Sequence, residues 1–217
     1  MRLLTRTGHS EGFHWTCELV LDQARSSHRP RLKRGIVPPI PVRLELLCEL
    51  IPSRTIGVLL NPNNPITPSN AGELKSAARS LNRQTVEVMA AEDADLGAAF
   101  NKLVDQKAAA LLVGTDPFLT GRRERLVALA QRHTIPAGYQ WREFVDAGGL
   151  MSYGTSITEV YRLIGMYTAR ILRGTKPAEL PVLQPTKFEL VINLKTAKAL
   201  GLKVPTSILL RADELIE

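Results

Sequence analysis

Polar residues suited to bind a small ligand follow two strongly apolar stretches of this chain. They are Asn61, Asn63, Asn64 and Asp116. The three asparagines follow TIGVLL and can donate and accept hydrogen bonds, while the aspartate follows AAALLV and can accept hydrogen bonds from a ligand amine. The same residues also suit structural roles, because asparagine builds turns and an aspartate before a proline can cap a helix. Binding and structural roles both stay open at this point.

Aromatic residues end a third apolar stretch, IPAGY. Tyr139 is its last residue, and Trp141 lies two positions further along the chain. Rings at this position can form the walls of a ligand site, or they can pack in the core. Both roles stay open for these two side chains as well.

Motifs of catalysis and of nucleotide binding are absent from the sequence. The turns after the first two apolar stretches are NPNNP and GTDP, so neither a dinucleotide fingerprint nor a P-loop is present. There is no GxSxG motif, no cluster of metal ligands and no pair of carboxylates. His133, at a predicted helix end, suits the helix dipole better than catalysis. We therefore expect a binding protein that is not an enzyme and that needs no cofactor.

Strands that alternate with helices position the candidate residues. TIGVLL and AAALLV are apolar throughout, which is typical of central strands buried on both faces of a parallel sheet. Strands are predicted at 56–60, 85–89, 108–113 and 135–139, and helices at 68–81, 96–106 and 121–133. Such a βαβ series forms an α/β lobe in which small ligands bind at the carboxyl ends of the strands. The asparagines and Asp116 are therefore expected on one edge of the sheet.

Four segments of the chain differ in composition and pattern. They are a basic, poorly ordered extension at 1–38, a helix region at 39–54, the α/β lobe at 55–140 and a remainder at 141–217. The remainder holds a long amphipathic helix at 157–172, and its strands are predicted at 150–153 and 188–193. These strands are too few to form an independent sheet domain.

The formal net charge of +7 is concentrated near the amino terminus. Residues 1–43 contain eight Arg or Lys and three acids, so they carry +5 of that charge. The cluster of Arg29, Arg31, Lys33 and Arg34 can contact phosphate, but no aromatic platform or recognition helix accompanies it. A solvated tail is the favoured interpretation, and a nucleic-acid partner is not favoured.

Cysteine content and hydropathy limit the class of protein further. Cys17 and Cys48 are too few for a disulfide framework or a zinc site, and Cys48 is expected to be a free, partly buried thiol in a helix. No stretch of about eighteen apolar residues indicates a membrane span. Polar residues at 7–11 stand where a secretory signal needs an apolar core.

Five motifs of the chain resemble those of a known family. They are RLELLCELIP, TIGVLLNPNNP, AAALLVGTDPFL, IPAGYQWREFVDAGGLMSYG and QPTKFELVINLKTAKALGL. In order and spacing they are similar to the carboxyl-terminal part of ABC transporter substrate-binding proteins of the tryptophan/tyrosine-binding type, over residues 42–217. The resemblance implies a type I periplasmic binding fold, in which two α/β lobes close around a small organic ligand such as an amino acid. It also implies delivery to a membrane permease, a periplasmic location and no enzymatic step.

The resemblance also implies which residues line the ligand cleft. By position these are Asn61, Asn63, Asn64, Asp116, Phe118, Tyr139, Trp141 and Glu143, with Tyr153 near a strand that crosses between the lobes. Most of them belong to the parallel-sheet, Rossmann-like lobe at 55–140.

The chain departs from this family at its amino end. Family members begin with an export signal and a first-lobe block, and the basic segment 1–38 stands in their place here. We therefore expect an amino-terminally truncated member, in which the elements from residue 150 onward return to an incomplete second lobe. An apolar face left exposed there can be covered by a second copy in a homodimer. A cytoplasmic location is the alternative to the periplasm.

A second class of function uses the same fold. Repressors of the lactose type place a ligand-sensing domain of this kind behind a DNA-binding pair of helices. In this chain that pair would fall in residues 1–38, which show no convincing helix-turn-helix pattern. A transcription regulator is therefore the alternative to a solute-binding protein.

Overall fold

The computed structural model of the chain describes residues 40–181 and 188–217. Predictions made for the extension at 1–38 lie outside these described residues. The strands are β1 (Thr55–Leu60), β2 (Gln84–Met89), β3 (Ala110–Val113), β4 (Ala137–Tyr139), β5 (Met151–Gly154), β6 (Glu189–Asn193) and β7 (Glu214–Ile216). The helices are α1 (Ile40–Leu50), α2 (Thr67–Ser80), α3 (Asp93–Asp105), α4 (Pro117–Gly121), α5 (Arg123–Arg132), α6 (Arg142–Asp146), α7 (Ile157–Leu172), α8 (Leu194–Ala199) and α9 (Thr206–Arg211).

The seven strands form one sheet in the order β2-β1-β3-β4-β5-β6-β7. All neighbours from β2 to β5 are parallel, β6 runs antiparallel to β5, and β7 runs parallel to β6. The predicted α/β class with a mostly parallel sheet is confirmed. We call the edge at which β1 to β5 end the carboxyl edge, because small ligands bind there in sheets of this type.

Two apolar clusters lie on opposite faces of the sheet. Ile56, Val58 and Leu60 belong to the first cluster, together with residues of α1 and α2. Leu59 belongs to the second cluster, together with residues of α3 and α5. Because β1 is buried on both faces, it needs no alternation of polar and apolar residues, which explains the composition of TIGVLL. Each fully buried aliphatic side chain contributes roughly 1.5–3 kcal/mol, so these clusters hold the strand ends firmly in place.

The sheet continues past residue 140, which differs from the sequence prediction. β5 pairs with β4, with Met151 opposite Gly138, and β6 and β7 extend the same sheet. The physical reason is apolar burial, because Leu190 and Ile192 of β6 belong to the first cluster, which also holds residues of β1. β5, β6 and β7 therefore belong to the same seven-stranded sheet as β1 to β4, and the incomplete second lobe stays a prediction.

The helix predicted at 121–133 is divided into α4 and α5. Asp116 caps the amino end of α4, and Pro117 is its first residue. Proline is favoured at this position because it lacks the N–H group that has no partner in the first turn of a helix. The helical structure therefore begins four residues earlier than the apolar periodicity indicated.

The chain divides into two compact units. The larger is Arg34–Val160 with Pro185–Glu217, and it holds the whole sheet. The described part of the smaller unit contains most of α7 and a 3-10 turn at Pro177–Glu179. None of the helices within 40–181 and 188–217 combines the length and the apolarity that a membrane crossing needs.

Candidate functional site

The loops that follow β1 and β3 meet at the carboxyl edge. Leu59 lies opposite Val113 in the parallel pair, so the two strands end at the same level. Gly114 then continues against β1, where its N–H donates to the carbonyl of Leu59 at 2.8 Å. A Cβ atom on Gly114 would lie 2.9 Å from that carbonyl oxygen, so only glycine fits without a shift of the backbone. This close approach brings the asparagine loop and Asp116 together.

Asp116 joins these two loops through its side chain. Its Oδ1 accepts a hydrogen bond from Asn61 Nδ2 at 3.1 Å, and its Oδ2 accepts one from Asn64 Nδ2 at 2.8 Å. Oδ1 also accepts a hydrogen bond from the N–H of Leu119 at 3.1 Å, which makes Asp116 the N-cap of α4. The side chain is buried, and three of the roughly four acceptor positions of a carboxylate are occupied. One acceptor position remains for a ligand donor.

The asparagines have different environments within their loop. Asn61 Oδ1 accepts a hydrogen bond from the N–H of Asn63, and Asn64 Oδ1 accepts one from the N–H of Ile66, so each closes a turn of the backbone. The hydroxyl of Thr67 donates to the carbonyl of Asn61 at 2.6 Å, which fixes the loop to the start of α2. Asn63 is exposed. The structural roles that the sequence left open for Asn61 and Asn64 are therefore present.

Tyr139 lies in the core beneath the carboxyl edge. It is 1% exposed, and its ring stacks on Phe144 with 4.5 Å between the ring centres. Burial raises the pKa of its hydroxyl group. This geometry is that of core packing, which is one of the two roles that the sequence left open for Tyr139. Its assignment to the ligand site stays a prediction.

Three other aromatic rings are better placed to contact a ligand. Phe118 and Trp141 are partly buried, and both pack against the second cluster from the loops that follow β3 and β4. The guanidinium group of Arg122 lies 5.6 Å from the centre of the Phe118 ring. Tyr153 of β5 is also partly buried and packs against the first cluster. None of these three rings is fully enclosed.

Glu143 and Gln140 carry buried polar atoms without a partner in the described part of the chain. In Glu143 the atom is Oε2, and in Gln140 both Nε2 and Oε1 lack a hydrogen bond. Gln140 is 3% exposed, so bulk water has little access to its amide group. An unsatisfied buried polar group costs about 1–3 kcal/mol, which makes these atoms candidates for contact with a ligand.

Thr155 places a third such group beside Gln140. Its Oγ1 is buried, with no hydrogen-bond partner in the residues that the structure describes. The ends of β4 and β5 approach so closely here that a Cβ atom on Gly154 would lie 1.9 Å from the carbonyl oxygen of Gln140. The sequence reasoning missed Thr155, whereas Gln140 lies within the stretch Tyr139 to Glu143 that the resemblance implies for the cleft. The available signal for Thr155 was its position two residues after the strand predicted at 150–153.

Arg43 is a fully buried cation at the same edge, and the sequence reasoning missed it too. It lies in α1, is 1% exposed, and its Nη2 donates to Thr115 Oγ1 at 3.2 Å. Its Nη1 reaches the carbonyl of Val113 at 3.4 Å, and its Nε has no partner in the described residues. Burial lowers the pKa of the guanidinium group to about 10, so Arg43 stays positively charged at neutral pH. The signal in the sequence was a single arginine within the leucine-rich helix RLELL.

A groove of about 430 Å³ lies away from the carboxyl edge, beside the start of β2. Its walls include Cys48, Arg83 and Arg211. The thiol of Cys48 is free and buried, as predicted, and burial raises its pKa. No group of three or more His, Cys, Asp or Glu side chains within the described ranges is arranged to hold a metal ion. The carboxyl edge therefore remains the candidate site.

Comparison with known proteins identifies relatives over most of the chain. Residues 37–216 match a protein family described as ABC transporter substrate binding protein. The chain is similar to a tyrosine-binding protein of Clostridioides difficile (strain R20291), with 26% identity over 161 residues. That match covers 74% of this chain and 46% of the relative, so the chain spans about half of the relative's length.

Solved structures share the fold. A conserved domain protein from Vibrio cholerae O1 biovar El Tor is 27% identical, with a TM-score of 0.75 over 82% of this chain and 60% of that chain. An ABC domain from Streptococcus pneumoniae in complex with L-Trp has a TM-score of 0.74 at 24% identity, over 82% of this chain and 62% of that chain. At this identity the second likeness shows the fold alone.

Proposed function

Because this chain belongs to the family of ABC transporter substrate-binding proteins, we propose that it binds an amino acid or a similar small organic solute at its carboxyl edge. The observation that carries the proposal is that the buried side-chain polar atoms of Gln140 and Thr155 have no hydrogen-bond partner within residues 40–181 and 188–217. Ligand pockets combine apolar walls with a few polar groups that fix orientation, and the neighbouring aromatic rings can supply such walls. The family binds solutes, so no catalytic step is part of the proposal.

The ligand class rests on the named relative and on the residues of the edge. The clostridial protein is a tyrosine-binding protein, and the pneumococcal structure holds L-Trp, so L-tyrosine and L-tryptophan are the first ligands to test. Phe118, Trp141 and Tyr153 are partly buried and can pack against an aromatic ring. The free acceptor position of Asp116 can receive a hydrogen bond from the ammonium group.

Other residues of the edge have supporting roles in the proposal. Asn61 and Asn64 hold Asp116 in place, and Asn63 presents an exposed amide beside them. Glu143 contributes its unpartnered carboxylate oxygen. Tyr139 supports the floor of the site from within the core, where it stacks on Phe144.

The partner and the location follow from the role of the family. We propose that the bound solute is delivered to an ABC permease and that the protein acts in the periplasm. The chain spans 46% of the curated relative and 60–62% of the two solved structures, so closure of a second lobe over the ligand also belongs to the proposal. The homodimer stays a prediction. The alternative role as a transcription regulator depends on residues 1–38, outside the described residues, and no observation on the described part favours it.

The test is a ligand screen on the full chain by thermal shift, followed by isothermal titration calorimetry. We expect L-tyrosine or L-tryptophan to raise the melting temperature and to bind with a stoichiometry of one. Replacement of Gln140 by alanine should weaken that binding, whereas Gln106→Ala, at an exposed position after α3, should not. Binding of none of the natural amino acids, or equal affinity of the two variants, would contradict the proposal.

A further inference from the structure

We propose that Arg43 is the anchor for the carboxylate group of the bound ligand. The inference rests on the proposed function, which it makes more specific: the site selects solutes that carry a carboxylate. The inference stands on three observations, which are the burial of the cation, the lack of an acidic partner and its position at the end of β3.

The first observation is that Arg43 is buried without a countercharge. Only 1% of the residue is exposed, and the partners of its side chain among the described residues are the Val113 carbonyl and Thr115 Oγ1, neither of which is acidic. Arginine almost never occupies such a position unless it is paired. Removing a cation from water is expensive unless an anion or a full set of hydrogen bonds compensates for it. Within the described residues, the positive charge of Arg43 therefore has no negative partner.

The second observation is that the hydrogen bonds of Arg43 are incomplete. A guanidinium group has five N–H donors. Two are used, one toward Thr115 Oγ1 at 3.2 Å and one toward the Val113 carbonyl at 3.4 Å, and both distances are long for a charged donor. The Nε atom has no partner among the described residues. The remaining donors are suited to the two oxygens of a carboxylate, which the planar guanidinium group can bind with a pair of parallel hydrogen bonds.

The third observation is the position of the guanidinium group at the loop that carries Asp116. Arg43 contacts Thr115, which directly precedes Asp116 in the loop after β3. A positive and a negative side chain thus flank one short loop at the edge where ligands bind. An α-amino acid carries a carboxylate and an ammonium group on the same carbon atom. The loop therefore offers a partner to each charge of a zwitterion, with Arg43 on the carboxylate and Asp116 on the ammonium group.

The experiment compares three ligands that differ in one charge each. L-tryptophan carries both charges, 3-indolepropionate lacks the ammonium group, and tryptamine lacks the carboxylate. L-tyrosine, 3-(4-hydroxyphenyl)propionate and tyramine form a matched second series. Calorimetry on the full chain measures their affinities for the wild type, Arg43→Gln and Arg43→Lys. Arg132→Gln, which removes an exposed guanidinium group at the end of α5, is the matched control.

Removal of the guanidinium group should weaken only the ligands that have a carboxylate. We expect Arg43→Gln to bind L-tryptophan and 3-indolepropionate about 10- to 100-fold more weakly and to bind tryptamine within about threefold of the wild type. Arg43→Lys should give an intermediate loss, because lysine keeps the charge but not the planar pair of donors. A residue with a purely structural role would change all three affinities together.

The other outcomes separate this inference from the proposed function. Equal affinities of the wild type for L-tryptophan and tryptamine, or an unchanged affinity of Arg43→Gln for L-tryptophan, would contradict the role of Arg43 in binding the carboxylate. After either result, the proposed binding of an amino acid would still be supported. If the wild type binds 3-indolepropionate in an Arg43-dependent way but no amino acid, the anchor stands and the proposed ligand class is wrong. If no member of either series binds the wild type, both fail. If Arg43→Gln does not fold, the same comparison is made with Arg43→Lys, and an unchanged affinity of Arg43→Lys for L-tryptophan would contradict the role of the planar guanidinium group.

Discussion

Asn61 and Asp116 are joined by a hydrogen bond of 3.1 Å between the side-chain amide of the first and the carboxylate of the second. The two residues follow different strands and are 55 positions apart in the chain. Their contact fixes the relative position of the loops after β1 and β3 before any ligand arrives. Since an ordered site loses less conformational entropy on binding, this connection favours affinity as well as stability.

Replacement of Asp116 by alanine should destabilise the protein by about 2–4 kcal/mol. The side chain accepts three hydrogen bonds in a buried position, and its loss leaves the amides of Asn61 and Asn64 and the N–H of Leu119 without that partner. Urea unfolding followed by circular dichroism measures the free energy of unfolding. Asp105→Ala, at an exposed position at the end of α3, should stay within about 0.5 kcal/mol of the wild type. Equal stabilities of the two variants would contradict the role of Asp116 as the N-cap of α4 and as the link between the loops after β1 and β3.

Replacement of Gln140 by leucine should separate binding from stability. The change removes two buried polar atoms that have no partners in the described residues, so the free energy of unfolding of the ligand-free protein should stay the same or rise by about 1 kcal/mol. Ligand affinity should fall by about tenfold or more if the amide group binds the ligand. Urea unfolding and calorimetry give the two quantities. A large loss of stability together with unchanged affinity would assign Gln140 a structural role instead.

Tyr139 and Trp141 should respond differently to truncation, although only one residue separates them. Tyr139→Ala removes a ring that is 1% exposed and stacked on Phe144, and it should cost about 3–5 kcal/mol of stability. Trp141→Ala removes a partly buried ring, so it should cost less stability and should weaken the binding of an aromatic ligand. Thermal melts and calorimetry on both variants make the comparison. Greater destabilisation by Trp141→Ala than by Tyr139→Ala would contradict the assignment of Tyr139 to the core and of Trp141 to the wall of the ligand site.

Cys48 should react slowly with alkylating agents while the protein is folded. Burial restricts access to the thiol and raises its pKa, so less of the reactive thiolate is present at a given pH than in the unfolded chain. In a Cys17→Ser variant, the rate of modification by iodoacetamide at mildly alkaline pH can be followed by mass spectrometry. Addition of denaturant should raise this rate by at least about tenfold. Similar rates in the folded and unfolded protein would contradict the burial of the thiol.

The central strands could be predicted from the sequence because burial on both faces leaves a local signature. TIGVLL and AAALLV are continuous apolar runs, and the polar loops after them were correctly placed on one edge. The membership of β6 and β7 in the same sheet had no such signature. It depends on antiparallel and edge pairings between short segments that lie far apart in the chain.

The isolated polar groups of the site could not be predicted for a related reason. Whether Arg43 has an acidic partner depends on which residues the fold brings to it, and its two acceptors lie 70 and 72 positions away. Gln140 is ordinary by residue type, and only its burial without a partner distinguishes it. Residue type and local pattern located the edge, whereas packing between distant segments decided which side chains there lack partners.

The partly buried indole of Trp141 gives the carboxyl edge a built-in optical reporter. The chain has two tryptophans, Trp15 and Trp141, so a Trp15→Phe variant retains a single emitter beside the loop after β4. With excitation at a wavelength that tyrosine does not absorb, the binding of L-tyrosine could be followed through the emission maximum and the intensity of the Trp141 fluorescence. Occupancy could be read continuously in a cuvette, without attaching a dye.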